Sequence, residues 1–434
     1  MIPLEEAQAF TRHACAPLRP VEMSVTDALG CVLAAPAFAQ VDVPPFANSA
    51  MDGYALRAAD TAAAPVTLEV VGRVLAGATL HGEVGPGQAA RIMTGAPVPA
   101  GADAVCMVER TRAAGRDGGV VVEAAVEKGE NVRLPGGDVR VGGVVLDAGA
   151  EVGPTQLAAL ISAGCTRLEV HPRPRVGVIS TGDELVDAGH PLGPAQIYDS
   201  NRPMLLSLVA ESGCAALDLG RSADDEDALE ARLAGALGRV DVLVLSGGVS
   251  VGDVDVVRIV LDRLGGAATH WMQIAVRPAK PFSFSVLQGP GGPVPVFGLP
   301  GNPVSSAVSF ELLVRPALRA MAGHRRTDRP RVVARAEEPL RRHPDGRTHF
   351  VRVQLGPGGT ERARTSSGEA GQRLGGTESW AARPCPGQGS HQIRSMGLAD
   401  GLAVLVDGYG VDEGQQVEVI VTNPALAVAF VSAP

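Results

Sequence analysis

Residues 175–185 read RVGVISTGDEL, and residues 240–253 read VDVLVLSGGVSVGD. Each is a short aliphatic run that ends in a hydroxyl residue and breaks into glycine and acid. Apolar runs of this length, closed by glycine, predict strands buried on both faces, as in a parallel sheet. The chain between and beyond them keeps the rhythm. NRPMLLSLVAESG (201–213) predicts an amphipathic helix with a glycine stop, CAALDLG (214–220) a short strand, and DDEDALEARLAGALG (224–238) a helix whose acidic first turn suits the helix dipole. DVVRIVLDRLG (255–265) is a further helix, followed by strands near 282–287 and 294–298 and a long helix over 303–323. Alternating β and α elements predict an α/β unit with a doubly wound, mostly parallel sheet and right-handed crossovers.

Outward from this unit the texture changes. Pro172 and Pro174 mark its start. Upstream, residues 66–146 are short β-rich runs punctuated by Gly and Pro, which predicts a small barrel or sandwich. Residues 1–35 carry helical spacing, with Leu4, Ala7 and Phe10 on one face and then Val25, Leu29 and Val32. A second helix-like stretch, 155–164, suggests that one domain is split by the β-rich part. The expected division is 1–40 with 139–172, an inserted 41–138, the α/β unit 173–323, and a β-barrel-like 324–434. The basic run from Arg325 to Arg347 reads as a solvated face.

Composition removes several function classes. The 434 residues carry a formal charge of −9 with 3% aromatics, which disfavours a nucleic-acid binder needing a basic face and stacking platforms. No run of 18 apolar residues predicts a membrane helix, and the acidic start MIPLEEAQAF lacks the apolar core of a signal peptide. Six scattered Cys without a CxxC pair predict buried reduced thiols. A cytoplasmic protein of several domains is the expectation. Among 38 basic residues only Lys128 and Lys280 are lysine.

Chemistry concentrates at the strand ends, where ligands of open α/β sheets bind. Gly182, Gly247 and Gly248 let a backbone approach a ligand, and Ser180, Thr181, Ser246 and Ser250 add hydroxyl donors. Neither turn matches the Walker pattern, so an ordinary P-loop is excluded. Acids crowd the same turns: Asp183, Glu184, Asp224, Asp225, Asp253 and Asp255. Carboxylates beside an anion nest are reconciled by a bridging Mg2+, for which Glu184, Asp224 and Asp255 are the candidate ligands. Helix capping is the competing account of Asp224 and Asp253. In VFGLPGNPVSSAVSF (296–310), Pro300 and Pro303 stiffen the backbone around Gly301 and Asn302, a turn that offers free N–H groups to an anion. Outside this unit, PPFANSAMDGYA (44–55) presents Asp52, residues 91–109 present Thr94, and NVRLPGGDV (131–139) presents Asp138. GQGSHQIRSMG (387–397) holds Ser390, His391 and Ser395, but no GxSxG elbow supports a serine hydrolase.

Taken in order, PPFANSAMDGYA, IMTGAPVPAGADAV, STGDEL, IYDSNRPML, LSGGVSVGD, KPF and FGLPGNPVSS resemble the molybdopterin molybdotransferase (MoeA) family, to which the E domain of gephyrin is related. The resemblance implies insertion of molybdate into adenylylated molybdopterin, with release of AMP and dependence on Mg2+. It also implies a homodimer and contact with other proteins of molybdenum cofactor biosynthesis. Asp52, Thr94 and Asp138 would come from the side facing the partner subunit. Glu184, Asp224 or Asp225, Ser250 and Asp255 would line the pterin and nucleotide pocket, shaped by Pro300 and Pro303. Arg277-Pro278-Ala279-Lys280-Pro281 stands where the family pattern is Lys-Pro-Gly-Lys-Pro, so Arg277 and Lys280 become candidate anion contacts. The alternatives are the related adenylyltransferase step and a non-catalytic scaffold. The extra domains and the 44–55 motif argue against the first, and no visible partner-binding tail supports the second.

Overall fold

A computed structural model describes residues 1–115, 118–248, 256–358 and 380–426. The chain divides into two compact units, one of residues 1–20 with 171–434 and the other of residues 21–170.

The larger unit is built on a six-stranded sheet. Its strands are β1 (Arg175–Thr181), β2 (Ala215–Ser222), β3 (Val242–Ser246), β4 (His270–Gln273), β5 (Pro281–Gly289) and β6 (Gly292–Leu299), in the order β2-β1-β3-β6-β5-β4. β2, β1, β3 and β6 run parallel, and the hairpin β5–β6 and edge strand β4 pair antiparallel. Val242, Leu243, Val244 and Leu245 in β3 are fully buried, as a strand covered on both faces requires. The expected helices form: α1 (Asn201–Glu211), α2 (Glu226–Ala236), α3 (Val256–Gly265) and α4 (Pro303–Ser309). α4 continues through one π turn at Phe310–Val314 into a helix over Arg315–Met321. The sheet order turns in opposite directions from β1, to β2 on one side and β3 on the other, which is a topological switch point. The register Ser180↔Ser246 and Ser246↔Leu299 sets the carboxyl ends of β1, β3 and β6 in one row.

Downstream of the α/β sheet the same unit forms a closed barrel. Strand Thr348–Pro357 pairs with both Trp380–Pro384 and Gly401–Leu405, and Arg331–Ala336 and Gln416–Val421 complete the ring. A short strand, Val276–Arg277, adds in parallel to Thr348–His349 and ties the barrel to the α/β sheet.

The basic run at 325–347 is not a uniformly solvated face. Arg329 is 8% exposed and forms a two-pronged pair with Glu311 at 2.9 and 2.8 Å, plus an ion pair with Glu211 at 2.6 Å. Arg342 is 6% exposed and donates to the carbonyls of Arg347, Leu405 and Val406. Glu211, Glu311, Leu405 and Val406 lie outside the run, so local charge density misrepresents it.

Residues 1–20 also depart from expectation. Helix Leu4–Ala14 forms, but it buries Ala7 in the core that holds Leu313 and Leu318, and the Leu18 amide bonds Met321 O at 2.8 Å. The helical spacing of Val25, Leu29 and Val32 is not a helix. Strand Val21–Ser24 pairs with Arg167–His171, a turn carries Leu29, and Val32–Leu33 is again a strand.

The smaller unit has a six-stranded sheet made from Gly53–Leu56, Val66–Val74, Gln88–Ile92, Ala104–Met107, Thr111–Ala114 and Gly119–Val122. A three-stranded sheet and helix Pro154–Ser162 pack around a separate core of Leu33, Leu160 and Val170. All six cysteines are buried, and none is joined in a disulfide. Among the described residues, no helix is long and apolar enough to cross a membrane.

Candidate functional site

The row of strand ends opens into a cleft of about 630 Å³. Thr181, Gly182 and Glu184 from the end of β1 line it, with Asp224 from the turn before α2. Ser246, Gly247 and Gly248 follow β3, and Pro300, Gly301 and Asn302 follow β6. Glycine is required where it stands: Gly247 has φ +102°, and a Cβ there would lie 2.7 Å from Thr181 Oγ1. Gly182 has φ +144°, and a Cβ would collide with the Glu184 carboxylate.

Other expected residues serve the cleft from outside it. Ser180 is fully buried and donates to Asp199 Oδ2 at 2.5 Å, so its hydroxyl faces the core network and not a ligand. Asp225 caps α2 by accepting from the Ala228 amide at 2.8 Å, which leaves Asp224 for the cleft. The capping account therefore applies to the neighbour of the residue it was offered for. Asp224 and Asp183 exchange backbone-to-carboxylate bonds of 3.4 and 3.2 Å, joining the turns after β1 and β2. Pro303 is the first residue of α4 and does not line the cleft. One amide of that turn is already taken, because Val304 N donates to Ser390 O at 3.1 Å. Ser250 and Asp255 lie outside the described residues.

Asn201, the first residue of α1, carries a role its motif did not disclose. Its Nδ2 donates to Ser246 Oγ at 2.9 Å and to Gly301 O at 2.8 Å, and its buried Oδ1 has no partner among the described residues. Arg202 beside it binds Asp199 at 3.1 Å and Asp218 at 2.5 Å, fixing the start of the helix.

A second cleft, of about 810 Å³, adjoins the first: Pro281 and Asn302 line both. Arg277, Lys280 and Ser390 line it as the anion reading expects. The barrel adds basic side chains that local sequence did not single out as site residues: Arg347, His349 and Arg352. Arg352 is 1% exposed, and among the described residues its guanidinium donates to neutral acceptors, Ser395 Oγ and the carbonyls of Gly387 and Gly389, each at 3.3 Å. Burial pulls its pKa below the ordinary arginine value. Ser395 is itself buried behind Arg352, donating to Gln392 O at 2.8 Å, so it orients the arginine and does not face the cleft. Among the described lining residues, Asp345 is the one carboxylate. It accepts from Arg342 Nη2 at 2.9 Å, Arg347 Nε at 3.0 Å and His349 Nε2 at 3.1 Å. The Arg347 hydrogen bond foremost, opposed by partial desolvation and aided by His349, holds its carboxyl well below the usual range. His349 is shifted down, chiefly by burial.

In the smaller unit, Asp52 and Thr94 meet although 42 positions separate them. Asp52 Oδ1 accepts from the Thr94 amide at 2.7 Å and from its hydroxyl at 2.8 Å, and these bonds lower the Asp52 pKa, the amide first. Asp138 is exposed, and its amide bonds Val43 O at 2.9 Å. Among the described residues, no group of three or more His, Cys, Asp or Glu is arranged to hold a metal ion. Glu184 and Asp224 nevertheless share one cleft, and Mg2+ characteristically takes one or two carboxylates, waters and substrate phosphates. The donor set fits that ion.

A switch-point cleft of glycines and carboxylates lies beside a barrel-walled cationic cleft, an arrangement suited to a phosphorylated ligand and an oxyanion. The MoeA N-terminal region (domain I and II) matches residues 2–164, a probable molybdopterin binding domain matches 177–320, and the MoeA C-terminal region (domain IV) matches 376–422. The chain belongs to the MoeA family. It is 37% identical to the molybdopterin molybdenumtransferase of Haemophilus influenzae, across 76% of this chain and 80% of that one. It is 33% identical to molybdopterin molybdenumtransferase 1 of Mycobacterium tuberculosis across 99% of each. Two crystal structures of the molybdopterin biosynthesis MoeA protein from Pyrococcus horikoshii align with TM-scores of 0.74 and 0.73, at 32% and 26% identity. They cover 97% of this chain and 99% and 100% of theirs.

Proposed function

We propose that this chain is a molybdopterin molybdenumtransferase of molybdenum cofactor biosynthesis, inserting molybdate into adenylylated molybdopterin with release of AMP. The observation that carries the reading is the shared wall at Pro281 and Asn302. A cleft suited to a phosphorylated pterin and a cleft suited to a tetrahedral oxyanion open side by side. In the first, glycine backbone and the hydroxyl of Thr181 approach the phosphates, and Asn201 and Pro300 fix the walls. In the second, Arg277, Lys280 and Arg352 attract molybdate, with Arg277 able to offer two parallel donors. Mg2+ held by Glu184 and Asp224 would neutralise the pyrophosphate-like link when bound. Asp52, Thr94 and Asp138 belong to the same reaction by family resemblance. A homodimer working in the cytoplasm completes the proposal.

Incubation with molybdopterin-AMP, molybdate and Mg2+ tests it. Molybdate-dependent AMP release is expected, and its absence at micromolar molybdate overturns the reading. Mixing inactive Asp52→Ala and Glu184→Ala chains tests the dimer: verified heterodimers regain part of the activity if both chains contribute to one site.

A further inference from the structure

The cationic cleft is already partly neutralised from within. Asp345 lies on the loop between the strands Leu340–Arg341 and Thr348–Pro357, and its two oxygens serve four cationic or protonatable side chains. Oδ1 accepts from Arg342 Nη2 at 2.9 Å and lies 3.2 Å from His349 Nε2. Oδ2 accepts from both Nε and Nη2 of Arg347 and is 4.0 Å from Arg277 Nη1. The four are not equivalent. Arg342 is spent on Asp407 at 2.7 Å and on four carbonyls, so it is a fixed strut. Arg347 and Arg277 are 24% and 62% exposed at their side chains and face the cleft. Asp345 holds Arg347 by hydrogen bonds and only neighbours Arg277, and both remain within reach of a ligand.

We propose that Asp345 is the resident counter-anion of this cleft: it holds Arg347, stands within ion-pair reach of Arg277, and makes an incoming oxyanion compete with it for both. The inference rests on the reading of the cleft as the molybdate site and deepens it. A monoanion that displaces one carboxylate from these guanidinium groups exchanges one negative charge for another and gains little. A dianion brings twice the charge to the same donors in a partly desolvated cleft, where charge interactions exceed those in water. Asp345 thereby lowers the affinity of the cleft for every oxyanion, and for a dianion, which brings twice the charge past the carboxylate, by more than for a monoanion.

The test compares molybdate, a dianion, with perrhenate, a tetrahedral monoanion, by calorimetric titration of the full chain at constant ionic strength and neutral pH. Wild-type protein is expected to prefer molybdate by roughly tenfold or more. Asp345→Asn keeps the shape and removes the charge. It is expected to bind both anions more tightly, and molybdate by the larger factor, so that the preference widens. Molybdate binding with no preference over perrhenate in the wild type overturns the proposal without any variant. A preference left unchanged or narrowed in folded Asp345→Asn, or a variant that binds molybdate more weakly, overturns it equally, since a merely structural carboxylate would give that result. Wild-type protein that takes up neither anion overturns the molybdate reading of the cleft along with the proposal. The assay of AMP release distinguishes these cases, because it reports the transferase reaction whatever the anion preference.

Discussion

Asn201 donates to the carbonyl of Gly301 at 2.8 Å while donating to Ser246 Oγ at 2.9 Å, so one amide ties the turn after β3 to the turn after β6. Its position at the start of α1 lets a single helix terminus set the width of the cleft. Asn201→Ala removes both bonds and leaves Ser246 and Gly301 without that donor. A loss of about 1–2 kcal/mol in stability is expected from the broken bonds. Turnover should fall further than that, by roughly a hundredfold, because the wall is displaced from the reacting groups. Urea denaturation and AMP release, measured on the same preparation, separate the two effects.

Asp224 and Asp225 are adjacent but belong to different tasks. Asp225→Ser keeps a side-chain oxygen for the Ala228 amide, so stability and turnover stay near wild type, whereas Asp225→Ala costs about 1 kcal/mol in stability through the lost cap. Asp224→Ser removes a cleft carboxylate and should weaken the dependence of AMP release on Mg2+. Mg2+ titration curves for the three variants check the assignment; a displaced curve for Asp225→Ser would reverse it.

Lys280 lines the cationic cleft in a chain that otherwise uses arginine almost throughout. Lys280→Arg preserves charge but replaces a compact ammonium with a planar fork. A decrease of roughly tenfold in AMP release is expected from misplacement of the anion. Full activity would assign the lysine to chance.

His324 gives the larger unit a pH dependence. Burial first, then Arg319 and Arg315, lowers its pKa to about 4 from 6.5. The folded state therefore holds a neutral ring, and the unfolded chain binds the extra proton as pH falls below the ordinary histidine value. This contribution is intact above pH ~6.5 and is lost as pH drops toward ~4. With allowance for partial exposure of the ring, it amounts to about 1–2 kcal/mol. Urea midpoints for His324→Gln should change less with pH across that window than those of the wild type.

The strand ends were legible because their signal is local: aliphatic runs must be buried, and the glycines and acids after them have nowhere to go but the carboxyl edge of the sheet. Asn201 was present in a recognised motif, yet its two partners lie 45 and 100 residues away and meet it only when α1 closes over the sheet. Arg352 was invisible for a similar reason. Its neutral acceptors belong to the 387–395 segment, which reaches it only through closure of the barrel. The arginine run at 325–347 misled in the opposite direction, since charge spacing carries no information about Glu211, Glu311 or Asp407.

The wall formed by Pro281 and Asn302 has a thermodynamic consequence. Two ligands that press on one residue are linked, and linkage is reciprocal: the factor by which one changes the affinity of the other is the same in both directions. If molybdate tightens the hold on the nucleotide-bearing pterin, the pterin tightens the hold on molybdate equally, whichever arrives first. Asn302→Ala thins the partition and should bring both factors toward unity together, so the side chain at 302 acts as the molecule's coupling constant between its two substrates.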